Sequence, residues 1–321
     1  MNAPFFVIGD IHGCATELRL LLEQLPITRD STVVFVGDYI DRGPNAREVI
    51  EILLGIMQRC HVVTLLGNHE AMFFDFLQDP KSLGGGMFIY NGGSATLASY
   101  ANEHGEYMIP REHLDFLFSL KLYHEGGDYF FVHAGVPPKP LEELDPEHDR
   151  DELLWTRNMT NSPYRWSKII VHGHCQRNEP EIAPNHINVD TGCVYNGRLT
   201  AIELTSGRIY SVPRDVKTPP RFLRDIRSQR RAVRFEGSIP VLIDRVPLPL
   251  HCLTVNYSEV GMYLKALDTY GTVELQVGEQ ISGAIGPQGP WRVRFFGDVV
   301  RRDSRPGGTF YAIDIKGTSS P

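Results

Sequence analysis

Phe5-Phe6-Val7-Ile8-Gly9-Asp10-Ile11-His12-Gly13 is the stretch that decides the fold. Four consecutive apolar residues read as a strand buried on both faces. They lead into an acid and a histidine held between glycines. The pattern recurs twice. Val33-Val34-Phe35-Val36 leads into Gly37-Asp38-Tyr39-Ile40-Asp41-Arg42-Gly43, and Val62-Val63-Thr64-Leu65-Leu66 into Gly67-Asn68-His69-Glu70. Between these runs, Leu18, Leu21, Leu22 and Leu25, then Val49, Ile52, Leu53 and Ile56, fall at helical spacing. A strand–helix–strand order predicts a largely parallel sheet covered by helices. Further strands are expected at 129–132, 168–171, 187–189 and 199–204. The region from about 71 to 125 reads as mostly helical, interrupted at Gly84-Gly85-Gly86 and Gly92-Gly93.

The pattern changes at about 213, where Pro213, Pro219 and Pro220 sit in a basic stretch. Beyond about 236 the helical spacing stops. Short strand-like runs follow near 239–246, 250–256, 260–267, 279–285, 291–300 and 309–315. They predict a small antiparallel barrel or sandwich. The chain of 321 residues thus divides into 1–212, a linker at 213–226, and 227–321, in keeping with about two domains.

Composition narrows the function. Hydrophobic residues make up 42% and charged residues 22%, which suits globular domains rather than disorder. The net charge of −7 argues against a nucleic-acid coat. Residues 214–234 are the exception, with eight Arg or Lys against two Asp. That run holds a single aromatic, Phe222, rather than an interleaved set, so no nucleic-acid partner is expected. Five scattered cysteines without a CxxC fit free thiols in a reducing compartment. No apolar run reaches the ~18–20 residues a membrane helix needs. No membrane partner and a cytoplasmic location are the resulting expectations.

Asp10, His12, Asp38, Asp41, Asn68, His69, Glu70, His133, His172 and His174 all follow predicted strands. In open α/β sheets such loops converge beyond the carboxyl ends of the strands. Asp10 and His12 are two apart and share a side if the chain stays extended. Carboxylate, imidazole and amide oxygen together suit manganese, iron or zinc better than magnesium or calcium. Two such ions can clamp a phosphate and activate a water, with Asp38 able to bridge them.

GDIHG, GDYIDRG, GNHE, VHAG and the later GH together resemble the phosphoprotein phosphatase branch of the calcineurin-like metallophosphoesterases, over about 1–212. The resemblance implies an α/β metallophosphoesterase sandwich of four layers, α/β/β/α, with two divalent ions, manganese foremost. It implies that Asp10, His12 and Asp38 hold the first ion. Asp38, Asn68, His133 and His174 would hold the second. His69 resembles the general acid, with Asp41 orienting it, and Arg42 a phosphate clamp. Arg157, in Leu154-Trp155-Thr156-Arg157, resembles a second arginine of bacterial members. His174 rather than His172 follows Gly173 as the liganding position does. Asp190 reads as scaffold.

Arg230-Arg231-Ala232-Val233-Arg234 and Asn256-Tyr257-Ser258-Glu259-Val260-Gly261 resemble the two motifs of a PilZ domain, over about 227–317. The resemblance implies an all-β PilZ-type barrel that binds cyclic di-GMP as a regulatory ligand. Arg230, Arg231 and Arg234 would meet phosphates and guanine edges. Asn256 and Ser258 would meet base or ribose, and Gly261 would permit the turn.

The sequence therefore predicts a metal-dependent phosphatase regulated in cis by cyclic di-GMP. Its preferred substrates are phosphomonoesters, particularly phosphoserine and phosphothreonine proteins. A small phosphoester is the other substrate class. One alternative is a diadenosine tetraphosphate hydrolase, since the same motifs occur there. Another is a non-catalytic receptor that uses the phosphatase fold for docking.

Overall fold

The structure, a computed structural model, describes residues 3–215, 235–236, 238–244, 249–258, 261–267, 274–286, 293–305 and 308–319. It divides into two compact units. The first comprises Met1–Ala71, Ala95–Asn102 and Glu106–Arg221; the second, Met72–Ser94, Glu103–Gly105 and Phe222–Pro321.

The first unit is built on two five-stranded sheets. β1 (Phe5–Ile8), β2 (Thr32–Phe35) and β3 (His61–Thr64) are parallel. The second sheet holds β4 (Tyr123–Gly126), β5 (Tyr129–Val132), β6 (Ile169–His172), β7 (Glu181–Ile182) and β8 (His186–Asn188). There β5, β6 and β8 run parallel, with β4 and β7 antiparallel at the edges. β9 (Arg198–Glu203) and β10 (Arg208–Pro213) complete the first sheet in antiparallel sense. The orders are β10-β9-β1-β2-β3 and β4-β5-β6-β8-β7.

The sheets meet face to face through Val7, Val34, Val36, Leu65, Phe131, Val171, Ile187, Val189 and Ile202. α1 (Ala15–Gln24) packs along β9 and β10, and α2 (Ala46–Ile56) packs on α1. Of the helically spaced residues, Leu18, Leu21, Val49, Leu53 and Ile56 are buried, together with Ala15, Glu17, Ala46 and Ile50, whereas Leu22 and Ile52 are half-buried. The outer side of the second sheet is covered by Val136, Leu141, Leu153, Met159 and Trp166. The result is the four-layered sandwich.

α3 (Asn68–Gln78) begins in the first unit and continues into the second. α4 (Leu83–Phe88) and a π-helical turn, Ile89–Gly93, follow. Gly92 breaks that turn with φ of 103°, which a residue with a Cβ rarely adopts. The chain returns to the first unit in α5 (Ser94–Ser99), and α6 (Arg111–Phe118) follows there.

In the second unit, β12 (Pro240–Ile243) through β17 (Gly308–Ser319) form a closed six-stranded antiparallel barrel. The sheet order is β13-β12-β15-β16-β17-β14, and β14 pairs back onto β13. β13 is Leu250–Ser258, β14 Gly261–Ala266, β15 Gln280–Ile285 and β16 Val293–Arg305; short β11 (Phe235–Glu236) extends β13's far side. Closure removes exposed strand edges. Within this unit the 72–94 segment packs on barrel residues. The ring of Tyr257 stacks on Tyr90 with centroids 5.4 Å apart. Its hydroxyl donates to the Pro80 carbonyl at 2.8 Å. No helix among the described residues is long and apolar enough to cross a membrane.

Candidate metal centre

Asp10 and His12 do not lie on an extended segment. The chain turns after β1, because the amides of Ile11 and His12 both donate to the Asp38 carbonyl, at 3.0 and 2.8 Å. His12 then takes φ of 47°, and Asp38, Asp41, Arg42 and His174 take 54°, 70°, 66° and 63°. Left-handed backbone at five non-glycine residues is uncommon, and such residues gather at functional sites. Gly67 and Gly173 let the loops close. A Cβ on Gly67 would strike the Asp38 carboxylate, and one on Gly173 the Asp10 carboxylate.

Asp38 lies at the middle of the cluster. Its Oδ2 is 3.4 Å from His12 Nε2 and 3.5 Å from His133 Nε2. Asn68 Oδ1 lies 2.8 Å from His133 Nε2 and 3.0 Å from His174 Nδ1. The backbone amide of His174 donates to both Asp10 oxygens, at 3.3 and 3.1 Å. Two tautomers are fixed by carbonyls. His12 Nδ1 donates to Ile40 O at 2.8 Å and His133 Nδ1 to Val36 O at 2.9 Å. Each ring therefore turns its Nε2 lone pair into the cluster, the arrangement of a metal-ligating histidine.

The electrostatics call for cations. Burial, then Asp190 and Asp38, push the Asp10 carboxyl well above its ordinary range. Burial pushes Asp38 up to about 7 despite Arg42 and Arg157. Burial pushes His133 down to about 4, and lowers His12 and His174 as well. Two buried carboxylates and three neutral imidazoles form a donor set suited to two divalent ions. Arg42 Nη1 donates to His12 Nε2 at 2.8 Å. His12, Asp38 and His69 each offer a ligand atom within 4.8 Å of the others, as do Asp38, His133 and His174.

His69 and Asp41 form a buried pair, with Nδ1 2.6 Å from Oδ2. Arg42 also lies over the Tyr195 ring, 5.3 Å from its centroid. Arg157 is exposed, and its charge helps lower the His174 and Asp38 pKa values. Asp190 is buried and accepts the Gly192 amide at 2.9 Å. His172 is buried, donates from Nδ1 to Gly173 O at 3.1 Å, and is pushed down to about 3 by burial.

Two residues given no role in the sequence reading hold the site together. Glu70 accepts four backbone amides: Asp38 and Gly67 at Oε2, Tyr39 and Ile40 at Oε1, at 2.8 to 3.2 Å. It stands inside a quoted motif, so its position was visible and its task was not. Thr96 bonds Asp41 and carries no local signal.

Arg230, Arg231 and Arg234 lie outside the described residues. Asn256, Ser258 and Gly261 fall on the β13–β14 hairpin, where Ser258 pairs with Gly261. The Ser258 hydroxyl donates to Gly261 O at 3.2 Å. A Cβ on Gly261 would lie 2.8 Å from the Ile313 carbonyl.

Comparison with known proteins follows the same lines. The calcineurin-like phosphoesterase family matches residues 3–205. Bis(5'-nucleosyl)-tetraphosphatase PrpE [asymmetrical] of Anoxybacillus flavithermus is 29% identical, covering 64% of this chain and 93% of its own. The protein of that name from Bacillus anthracis is 30% identical, with 68% and 98% covered. A crystal structure provisionally described as a diadenosine tetraphosphatase aligns with a TM-score of 0.51 and 25% identity, covering 67% of this chain and 96% of that one. From its motifs, its paired sheets and its clustered donors alike, this chain belongs to the calcineurin-like phosphoesterase family.

Proposed function

We propose that this chain is a metal-dependent hydrolase of dinucleoside tetraphosphates that cuts one phosphoanhydride bond. The choice of substrate is carried by the tetraphosphatase relatives, which align over 93% and 98% of their own length. Phosphomonoester hydrolysis, on phosphoserine or phosphothreonine proteins, rests on the likeness of His133-Ala134-Gly135-Val136 and Leu154-Trp155-Thr156-Arg157 to small bacterial protein phosphatases and takes second place.

In this reading Asp10, His12 and Asp38 hold one ion. Asp38, Asn68, His133 and His174 hold the other. Bound there, the ions would polarise phosphoryl oxygens and activate the attacking water. The donor set suits manganese, iron or zinc. Arg42 and Arg157 offer planar guanidinium groups to the substrate phosphates. Burial raises the Asp41 carboxyl and lowers the His69 ring. In the proposed step the pair starts with one proton between Asp41 Oδ2 and His69 Nδ1, which lie 2.6 Å apart, and another on His69 Nε2. His69 gives the Nε2 proton to the departing oxygen while Nδ1 gains the proton shared with Asp41.

The test is to compare initial rates, with manganese, on diadenosine tetraphosphate and on a phosphoserine peptide. A kcat/KM at least about tenfold higher for the dinucleotide supports the assignment. The reverse order overturns it.

A PilZ-type barrel that brings cyclic di-GMP to bear on hydrolysis is favoured by one observation. Tyr257 lies between Asn256 and Ser258, and its hydroxyl and ring hold Pro80 and Tyr90. The segment that bears those two residues continues from the helix that begins Asn68-His69-Glu70. A nucleotide gripping Asn256 and Ser258 would act on that segment. Calorimetry with cyclic di-GMP should show binding that Arg230→Ala with Arg234→Ala removes. Unaltered binding in that variant, or none in the wild type, overturns the nucleotide assignment.

A further inference from the structure

We infer that Cys14, Glu17 and Cys193 form a third metal site, selective for a thiophilic divalent ion such as zinc, which uses none of the ligands of the hydrolytic centre. Cys14 is the residue that precedes α1, Glu17 lies in that helix's first turn, and Cys193 opens a 3-10 turn at Cys193–Tyr195. All three are buried, at 0%, 1% and 1% exposure. One ligand atom from each lies within 4.8 Å of the other two. In a tetrahedral zinc site, bond lengths of about 2.0–2.3 Å set neighbouring donors about 3.3–3.8 Å apart. A small contraction of three side chains closes the difference.

A second observation concerns the same carboxylate. Glu17 Oε1 is fully engaged, accepting Arg214 Nη1 at 2.7 Å and the Asp215 amide at 2.9 Å. Its Oε2 is buried and has no hydrogen-bond partner among the described residues. Buried polar atoms are rarely left so, because each forfeits its hydration. A cation between Oε2 and the two sulfurs supplies the missing partner. The charges also balance: two thiolates and a carboxylate are offset by a divalent ion and the Arg214 guanidinium. Sulfur donors select zinc over the harder ions that carboxylate and amide oxygens accept. Such an ion would tie the turn after His12 to the turn after Asp190.

The test uses the full chain and Co2+ as the probe. Thiolate ligation gives cobalt an intense near-ultraviolet charge-transfer band, which oxygen and imidazole donors do not. The wild type should show that band, and elemental analysis of the zinc-loaded chain should give about three ions per chain. Cys193→Ser should lose the band and about one ion, keeping the visible cobalt bands of the other centre. Absence of the band in the wild type overturns the proposal without relying on any variant. So does a wild-type mass lower by two hydrogens that peptide mapping traces to a Cys14–Cys193 disulfide. A band that survives Cys14→Ser with Cys193→Ser places it elsewhere and overturns it too.

Discussion

Thr96 and Asp41, 55 residues apart, exchange two hydrogen bonds: the Asp41 amide donates to Thr96 Oγ1 at 2.8 Å, and the Thr96 hydroxyl donates to Asp41 Oδ1 at 2.6 Å. Asp41's other oxygen faces His69. Thr96 thereby sets both the angle and the proton affinity of the carboxyl behind the proposed acid. Thr96→Val keeps the shape and leaves a buried carboxyl oxygen and amide unpaired, at about 1–3 kcal/mol. Steady-state kinetics on diadenosine tetraphosphate should show kcat lower by up to about tenfold, no more than removal of His69 itself costs, with KM little changed. Thr96→Ser should restore most of it.

His69→Asn should separate the two substrate classes. A phosphate leaving group has a pKa of about 6 and depends only weakly on a donated proton. A serine alkoxide needs a proton, and general acids contribute about 10²–10⁴-fold. Hydrolysis of diadenosine tetraphosphate should fall by about tenfold, and that of a phosphoserine peptide by about a thousandfold. Equal losses on both would show that His69 acts by position rather than by proton transfer.

Manganese affinity should depend on pH through Asp38. Burial lifts its carboxyl to about 7 in the metal-free chain. Above that pH the carboxylate is ready; below it, an incoming ion must displace a proton. Affinity should therefore weaken as pH falls below about 7, by up to about tenfold per unit. Calorimetry at pH 6 and pH 8, in buffers of different ionisation enthalpy, reads both the affinity and the protons released. A pH-independent affinity would count against Asp38 as a ligand.

Glu70→Gln should destabilise the fold more than it looks. A carboxylate accepts amides at both oxygens; the carboxamide accepts at one and turns an NH2 group toward the other pair. Two of the four backbone donors lose their partner, at about 2–4 kcal/mol together. Thermal unfolding of the metal-free chain should shift down by several degrees, about 2–4 °C per kcal/mol at this domain size.

The strands leading to Asp10, Asp38 and Asn68 are legible because a strand buried on both faces must be apolar at successive positions. β10 is not, since only Tyr210 and Val212 of its six residues are buried, among Arg208, Ser211 and Pro213. β4, Tyr-His-Glu-Gly, has no buried residue. The barrel strands were readable from short apolar runs set apart by turn residues. The grouping of 72–94 with that barrel was not, because it rests on Tyr90 and Pro80 meeting a residue about 170 positions away. Within the centre, donor types and their place after strands could be read from the sequence. The work of Thr96 and Glu70 could not, because each serves backbone or side chains of a distant loop. The spacing of Asp10 and His12 pointed to the right neighbours through the wrong geometry: a turn at His12, not an extended strand, presents them.

The left-handed backbone at His12, Asp38, Asp41, Arg42 and His174 bears on how this protein can be engineered. Each such residue costs roughly 1–3 kcal/mol relative to relaxed backbone, and glycine would relieve it. A library screened for heat resistance alone would thus collect its gains at these five positions and drift toward robust, inert chains. Selection for turnover has to run beside it in every round.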